Sequence, residues 1–125
     1  MTRLLLGFAA LLALMSADAL AGEKKLIGPE IKAAFSDAKS TLTGSQGTFL
    51  VDWKADGTMT GKGIKGAFPD KGKWWVKGNT FCRKWGFWVG GLEKCFGVTL
   101  DGEKMKWWRA DGSQYTPYVS YTLTK

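Results

Sequence analysis

Histidine is absent from the 125-residue chain. That excludes histidine-based catalytic triads and histidine-ligated metals. Cysteine is scarce, with only Cys82 and Cys95. In an exported chain two cysteines suggest one disulfide rather than a metal site. With both bonded, no thiol remains as a nucleophile or ligand. Acids are few: 11 Asp and Glu stand against 18 Lys and Arg, a net charge of +7. The balance favours acidic partners such as anionic lipid head groups, acidic glycan or nucleic acid. Export makes nucleic acid the least suitable of these.

Long hydrophobic runs are confined to the N-terminus. Leu4 to Met15 is apolar and too short to cross a bilayer as a helix. Arg3 before it and Ala19-Leu20-Ala21 after it complete a secretory signal pattern over residues 1–21. No cysteine lies near that cleavage site, which argues against a lipid anchor. The remaining residues, 22–125, suit one β-barrel-like domain, periplasmic or secreted and not membrane-spanning.

The stretch from Gly72 to Arg109 holds both cysteines and six of the seven tryptophans. It reads as four strands joined by three hairpins. Gly78-Asn79 and Asp101-Gly102 are two-residue turn signals. A Cys82–Cys95 disulfide is expected between directly opposite strand positions, since antiparallel Cα spacing suits such a bond. One face then carries Val76, Phe81, Phe96 and Trp107, with Val98 opposite Met105. The other carries Lys73, Lys84 and Glu93, and Lys77 beside Thr80. The first is inner by the period-two rule.

Two rows break the pattern. On the outer face the disulfide falls between Trp75 and Trp108. On the inner face Trp74, Arg83, Lys94 and Arg109 form one row. Like charges directly opposite are destabilising. The row is therefore either a solvent-facing rim, or an anion site whose attached apolar tail would lie on Phe81, Phe96 and Trp107. An acid such as Asp70 or Glu103 is the alternative counter-charge. The same register leaves Phe87-Trp88-Val89-Gly90 as an apolar hairpin tip. This tip is either a flap over the barrel mouth or, through Trp88, a contact surface for lipid or a partner.

Elsewhere, Glu23 to Lys25 reads as a polar leader and Pro29 to Ala38 as a short helix. Ser40 to Gln46 reads as a linker. Thr48 to Trp53 alternates as a strand, Asp56-Gly57 turns the chain, and Thr58 to Gly63 returns it. Gly61 to Lys73 is rich in glycine and lysine, but its spacing fails the phosphate-loop pattern, so it reads as a solvated connection. Ala110-Asp111-Gly112 is a further turn, and Tyr115 to Leu123 a last strand weakened by Pro117. Trp53-Lys54-Ala55-Asp56-Gly57-Thr58 resembles Trp108-Arg109-Ala110-Asp111-Gly112-Ser113, which reuse of one turn chemistry explains. Asp52 and Asp56 are the one carboxylate pair to weigh for catalysis, and turn-forming acids are the better reading.

This order of signals resembles the domain-of-unknown-function 995 family of small exported bacterial proteins. It comprises a signal peptide, a short helix, Asp56-Gly57, Gly72-Lys73-Trp74, Cys82, Cys95-Phe96 and Asp101-Gly102. More loosely it resembles lipocalin-type barrels. The resemblance implies an envelope setting and a β-barrel-like fold, and supplies no activity.

The expected fold is all-β: a small antiparallel up-and-down barrel or half-barrel with one short N-terminal helix. The expected role is non-enzymatic and needs no cofactor. It is the holding of an anionic or amphiphilic small molecule, with candidate contacts Trp74, Arg83, Lys94, Arg109, Phe81, Phe96, Trp107 and Trp88. The alternative is an envelope module that binds anionic glycan or lipid head groups through surface Trp and Lys.

Overall fold

Period-two alternation of large apolar residues decides the architecture, because each strand has one face to bury. In the computed structural model, which describes residues 22–63 and 68–125, these faces share one interior. The chain forms β1 (Lys24–Lys25), α1 (Gly28–Phe35), β2 (Ala38–Gly44), β3 (Gly47–Trp53), β4 (Thr58–Gly63), β5 (Asp70–Lys77) and β6 (Thr80–Trp85). A 3-10 turn (Trp88–Gly91), β7 (Lys94–Asp101), β8 (Lys104–Trp108) and β9 (Tyr118–Tyr121) follow. All pairings are antiparallel, and β2 to β8 run as a meander of sequential neighbours. β9 pairs with the free side of β2. The result is a strongly curled antiparallel half-barrel with one short helix, as the alternation predicts. Its remaining seam, along β8, is held by isolated bridges from Lys104 to Thr122 and from Trp108 to Gln114, beside bonds from the Leu123 N–H to the Glu103 carbonyl and from the Tyr115 N–H to the Trp107 carbonyl, each at 2.9 Å. The signal-peptide reading of residues 1–21 lies outside the described residues.

The helix plugs one end of the barrel. The Glu30 carboxylate accepts from the Ile27 N–H at 3.0 Å, satisfying a free donor of the first turn. Asn79 Oδ1 accepts from the Gly28 N–H at 2.9 Å and ties the helix start to the β5–β6 turn. Ile31 and Phe35 are fully buried beneath it. The Phe35 ring lies 5.0 Å from Trp53 and 4.9 Å from Phe81, centroid to centroid.

The predicted register holds across β5, β6 and β7. Trp74 faces Arg83, Trp75 faces Cys82, Cys82 faces Cys95 and Arg83 faces Lys94. Cys82 and Cys95 are disulfide-bonded, with Cα atoms 4.0 Å apart. The β7–β8 register differs from the expected one by two residues. Asp101 pairs with Lys104, so the turn is Gly102-Glu103 rather than Asp101-Gly102. The reason is turn chemistry: Gly102 takes φ +60°, suiting the first central position of a type II′ turn. The move also sets Asp101 against a lysine. Inner and outer faces survive a two-residue shift, but partners change: Trp107 faces Val98 rather than Phe96, and Trp108 faces Gly97 rather than Cys95.

Other expectations are corrected. The helix ends at Phe35, and Ala38 opens a strand. The expected linker over Ser40 to Gln46 is largely β2, whose Ala38, Ser40 and Leu42 point inward. Small and hydroxylated residues hid that alternation. Ser40 is tolerated inside because its Oγ accepts from Trp53 Nε1 at 2.8 Å. Asp70 to Lys73 belongs to β5 rather than to a solvated connection, and Lys24–Lys25 pair with β7 rather than trailing as a leader. The short repeat makes the same turn twice. Lys54 N–H bonds the Thr58 carbonyl as Arg109 N–H bonds that of Ser113, at 2.9 and 2.8 Å. Asp56 and Asp111 each accept from the backbone and hydroxyl of the residue two positions on. Those carboxylates are thus occupied as turn formers.

Candidate functional site

The far end of the barrel, opposite the helix, holds the chemistry. β6 runs from the plugged end toward it, so its inward residues change in kind along the strand: Phe81, then Arg83, then Trp85. Phe81 lies in the aromatic nucleus with Trp53, Trp74, Phe96 and Trp107. Its ring centroid is 4.9 Å from that of Trp107 and 5.8 Å from that of Phe96. Trp74, Phe81, Phe96 and Trp107 are therefore core residues that pack on one another.

The expected row of converging cations is not formed. Lys94 faces Arg83 across the ladder but is exposed at the rim. Arg109 follows the end of β8 and is exposed. Its Nη1 donates to the Gln114 carbonyl at 3.0 Å, and its guanidinium lies 5.3 Å from the Tyr115 ring centre. The two-residue change in register carries it away. Arg83 alone turns inward.

Arg83 is 4% exposed. Its guanidinium carbon lies 5.5 Å from the Phe96 ring centre. Its Nη1 is buried with no hydrogen-bond partner, and so is Trp107 Nε1. Both side chains pack on Phe96, and Trp107 also stacks on Tyr115. Two buried donors without acceptors thus share one aromatic neighbourhood. None of the ion pairs among the described residues includes Arg83. Burial pushes the guanidinium below its ordinary pKa, while the phenols of Tyr115, Tyr118 and Tyr121 act in the opposite direction, Tyr115 also through a hydrogen bond with the Arg83 side chain that leaves Nη1 unpartnered. Burial raises Tyr118, and raises Tyr121 to about 12. At neutral pH the Tyr118 and Tyr121 phenols are therefore uncharged, and the guanidinium keeps its charge.

The acids considered as partners lie elsewhere. Glu103 is exposed in the β7–β8 turn. Asp70 is buried and clamps the flap. Its Oδ2 accepts from the N–H groups of Phe87 and Trp88, each at 2.9 Å, and its Oδ1 from that of Lys71 at 2.8 Å. Burial pushes this carboxyl upward, but the backbone N–H groups of Trp88, Phe87, Lys71 and Gly86 outweigh it and hold it below its usual range. Of the two readings of the apolar tip, the flap is the one seen at Trp88. That side chain is half-buried, donates from Nε1 to the Phe68 carbonyl at 2.9 Å, and packs on Trp85 and Phe49. It rests on Gly61, where an added Cβ would come within 2.4 Å of the indole.

Between this flap, the β2–β3 hairpin and the segment before β9 lies a cleft of about 550 Å³. Phe49, Trp88, Val89, Tyr115, Pro117 and Tyr118 form its walls. Tyr115 and Tyr118 also belong to the surroundings of Arg83. No family model, curated protein or solved structure matches the chain. The site must therefore be read from its own chemistry. A second groove, about 510 Å³, lies among Leu50, Asp52, Thr60 and Lys62 on the outer face, away from both orphaned donors.

From sequence Asp70 is weighed only as a counter-charge to the basic row, not as the clamp of the flap, and the tyrosines are not singled out as site residues. Tyr115 and Tyr121 share the parity of the last strand, which was a usable signal. Tyr118 does not. A register break between Thr43 and Gly44 brings it beside Tyr121, with ring centroids 5.3 Å apart.

Proposed function

We propose that this chain is an extracytoplasmic binding protein for an anionic amphiphile. The head group meets Arg83, and the apolar part lies in the cleft between Phe49, Trp88 and Tyr118. The observation that carries the reading is the buried Arg83 with an unpartnered Nη1. A buried charge without a counter-ion is costly, and a carboxylate or phosphate would supply the missing acceptor. The solid aromatic nucleus below Arg83 directs the apolar part toward the mouth rather than the barrel floor. The disulfide points to an oxidising, extracytoplasmic compartment, and among the described residues no helix is long and apolar enough to cross a membrane. The glycan-stacking alternative draws less support, because Trp53, Trp74, Trp85 and Trp107 are buried and Trp75, Trp88 and Trp108 are half-buried.

The test is a titration of decanoate, decyl phosphate and uncharged decanol against the mature chain, following tryptophan fluorescence. The anionic compounds should bind more tightly than decanol. Arg83→Gln should weaken them roughly ten- to a hundred-fold, the value of a hydrogen bond to a charged group. Equal affinity for decanol, or no change in Arg83→Gln, would overturn the reading.

A further inference from the structure

Phe68, Phe87, Val89 and Leu92 are 78%, 56%, 47% and 57% exposed, and all belong to the mouth. Their adjacency follows from named contacts. Asp70 fixes the backbone of Phe87 and Trp88, Trp88 Nε1 binds the Phe68 carbonyl, and Gly91 backs onto Gly86. Loop tips normally carry polar residues. Here Val89 adopts φ +48°, a conformation that a β-branched residue rarely takes. Asn or Gly at that position would be easier for the backbone. A strained position that keeps an apolar side chain exposed calls for a functional reason.

The charge around this rim decides the partner. Lys71 flanks the flap through its carbonyl, which accepts from Gly86 N–H. Lys62 shares a groove with Pro69 and Lys71. Lys94 follows Leu92 by two positions and is exposed. Of the acids near them, Glu93 is exposed, Asp52 lines the groove of Lys62 and lies 3.8 Å from Lys39, and Asp70 is taken up by the flap, so the lysines outnumber the free acids. Apolar side chains ringed by lysines match the boundary between acyl chains and anionic head groups.

We infer that the open end of the barrel docks on an anionic lipid bilayer, inserting Phe68, Phe87, Val89 and Leu92 while Lys62, Lys71 and Lys94 meet the head groups. Val89 also walls the cleft, but none of the rim residues is needed to hold the buried head group, so the inference can fail or hold independently of the Arg83 reading.

The experiment is flotation of the mature, disulfide-bonded chain with vesicles of phosphatidylcholine alone and with phosphatidylglycerol added. Binding should require phosphatidylglycerol and fall as salt rises. Phe68→Ser with Phe87→Ser should reduce partitioning by about tenfold per residue, and Lys62→Gln, Lys71→Gln and Lys94→Gln by about fivefold each. Ile27→Ser, an exposed apolar change at the plugged end, should leave binding unaltered. Brominated acyl chains should quench Trp88 fluorescence in the parent. Leu92→Ser alone gives a second reading should the double variant lower the melting temperature. Equal binding to neutral vesicles, no binding, or full binding by the rim variants overturns the inference. So does a self-associated parent that the rim variants convert to a monomer without vesicle binding, which would make a second copy the occupant.

Discussion

Replacing Arg83 with methionine should stabilise the ligand-free protein. The substitution keeps an unbranched chain of similar reach and removes a buried charge with no carboxylate beside it. Substitutions of buried ionic groups by well-packed apolar ones gain about 1–4 kcal/mol. Loss of the desolvated cation–π contact with Phe96 takes back about 2 kcal/mol. A net gain of up to about 2 kcal/mol remains. For a domain of this size that raises the melting temperature by up to roughly 15 °C. Urea unfolding followed by tryptophan fluorescence measures it directly, provided the m-value is unchanged. An anionic ligand at a hundred times its dissociation constant should add about 2.7 kcal/mol to the parent and little to Arg83→Met. The order of stability should then reverse. If Arg83→Met instead loses more than about 1 kcal/mol without ligand, the guanidinium is a structural tie for Tyr115 and Tyr118, and the unpaired-charge reasoning fails.

Asp70→Asn should loosen the flap and lower stability by about 2–3 kcal/mol, because a charged acceptor of several backbone N–H groups is lost. Since the folded state holds Asp70 below its ordinary pKa, its contribution is fully present above about pH 4 and is lost as pH falls through the folded value. The parent should lose Trp88 burial in that acid range, and the asparagine variant should show no such step when fluorescence is followed against pH. Reduction of Cys82–Cys95, which closes a loop with a sequence separation of 13, should cost about 3 kcal/mol in denaturant unfolding. Thiol labelling of the denatured, unreduced protein should find no free cysteine. Ser40→Ala should cost about 1–3 kcal/mol in the same assay, because it strands the buried indole N–H of Trp53.

Strand alternation with bulky residues was legible where each inner position is large. The Phe49-Val51-Trp53 and Phe81-Arg83-Trp85 rows announce their faces, and the cysteine pair pins the register between β6 and β7. β2 was not legible, because its inner positions are Ala38, Ser40 and Leu42, and a buried serine is revealed only by the indole that reaches it. Turn dipeptides locate a reversal but do not fix which two residues form the loop. Asp101-Gly102 and Gly102-Glu103 differ only in whether glycine stands second or first. That difference moved Arg109 out of the row it was expected to share with Arg83. The inward charge at Arg83 was legible from parity alone. Its tyrosine surroundings were not, since they depend on the register break that brings Tyr118 next to Tyr121.

The barrel's two ends divide stability from the proposed binding, and magnitudes show why an unpaired guanidinium is tolerated. Fully burying Ile31 or Phe35 contributes about 1.5–3 kcal/mol each, and both are donated by the helix that seals the opposite end. Edge-to-face contacts among Phe35, Trp53, Phe81 and Trp107 add about 0.5–1.5 kcal/mol apiece. These terms lie below Arg83 and do not depend on the mouth. They offset the few kcal/mol that its burial costs without supplying a counter-charge. Had the mouth carried the fold, an acid would be needed beside Arg83 to keep the chain folded, and that acid would compete with any anion. Because the helix and the aromatic nucleus carry it, Arg83 keeps a donor without an intramolecular partner.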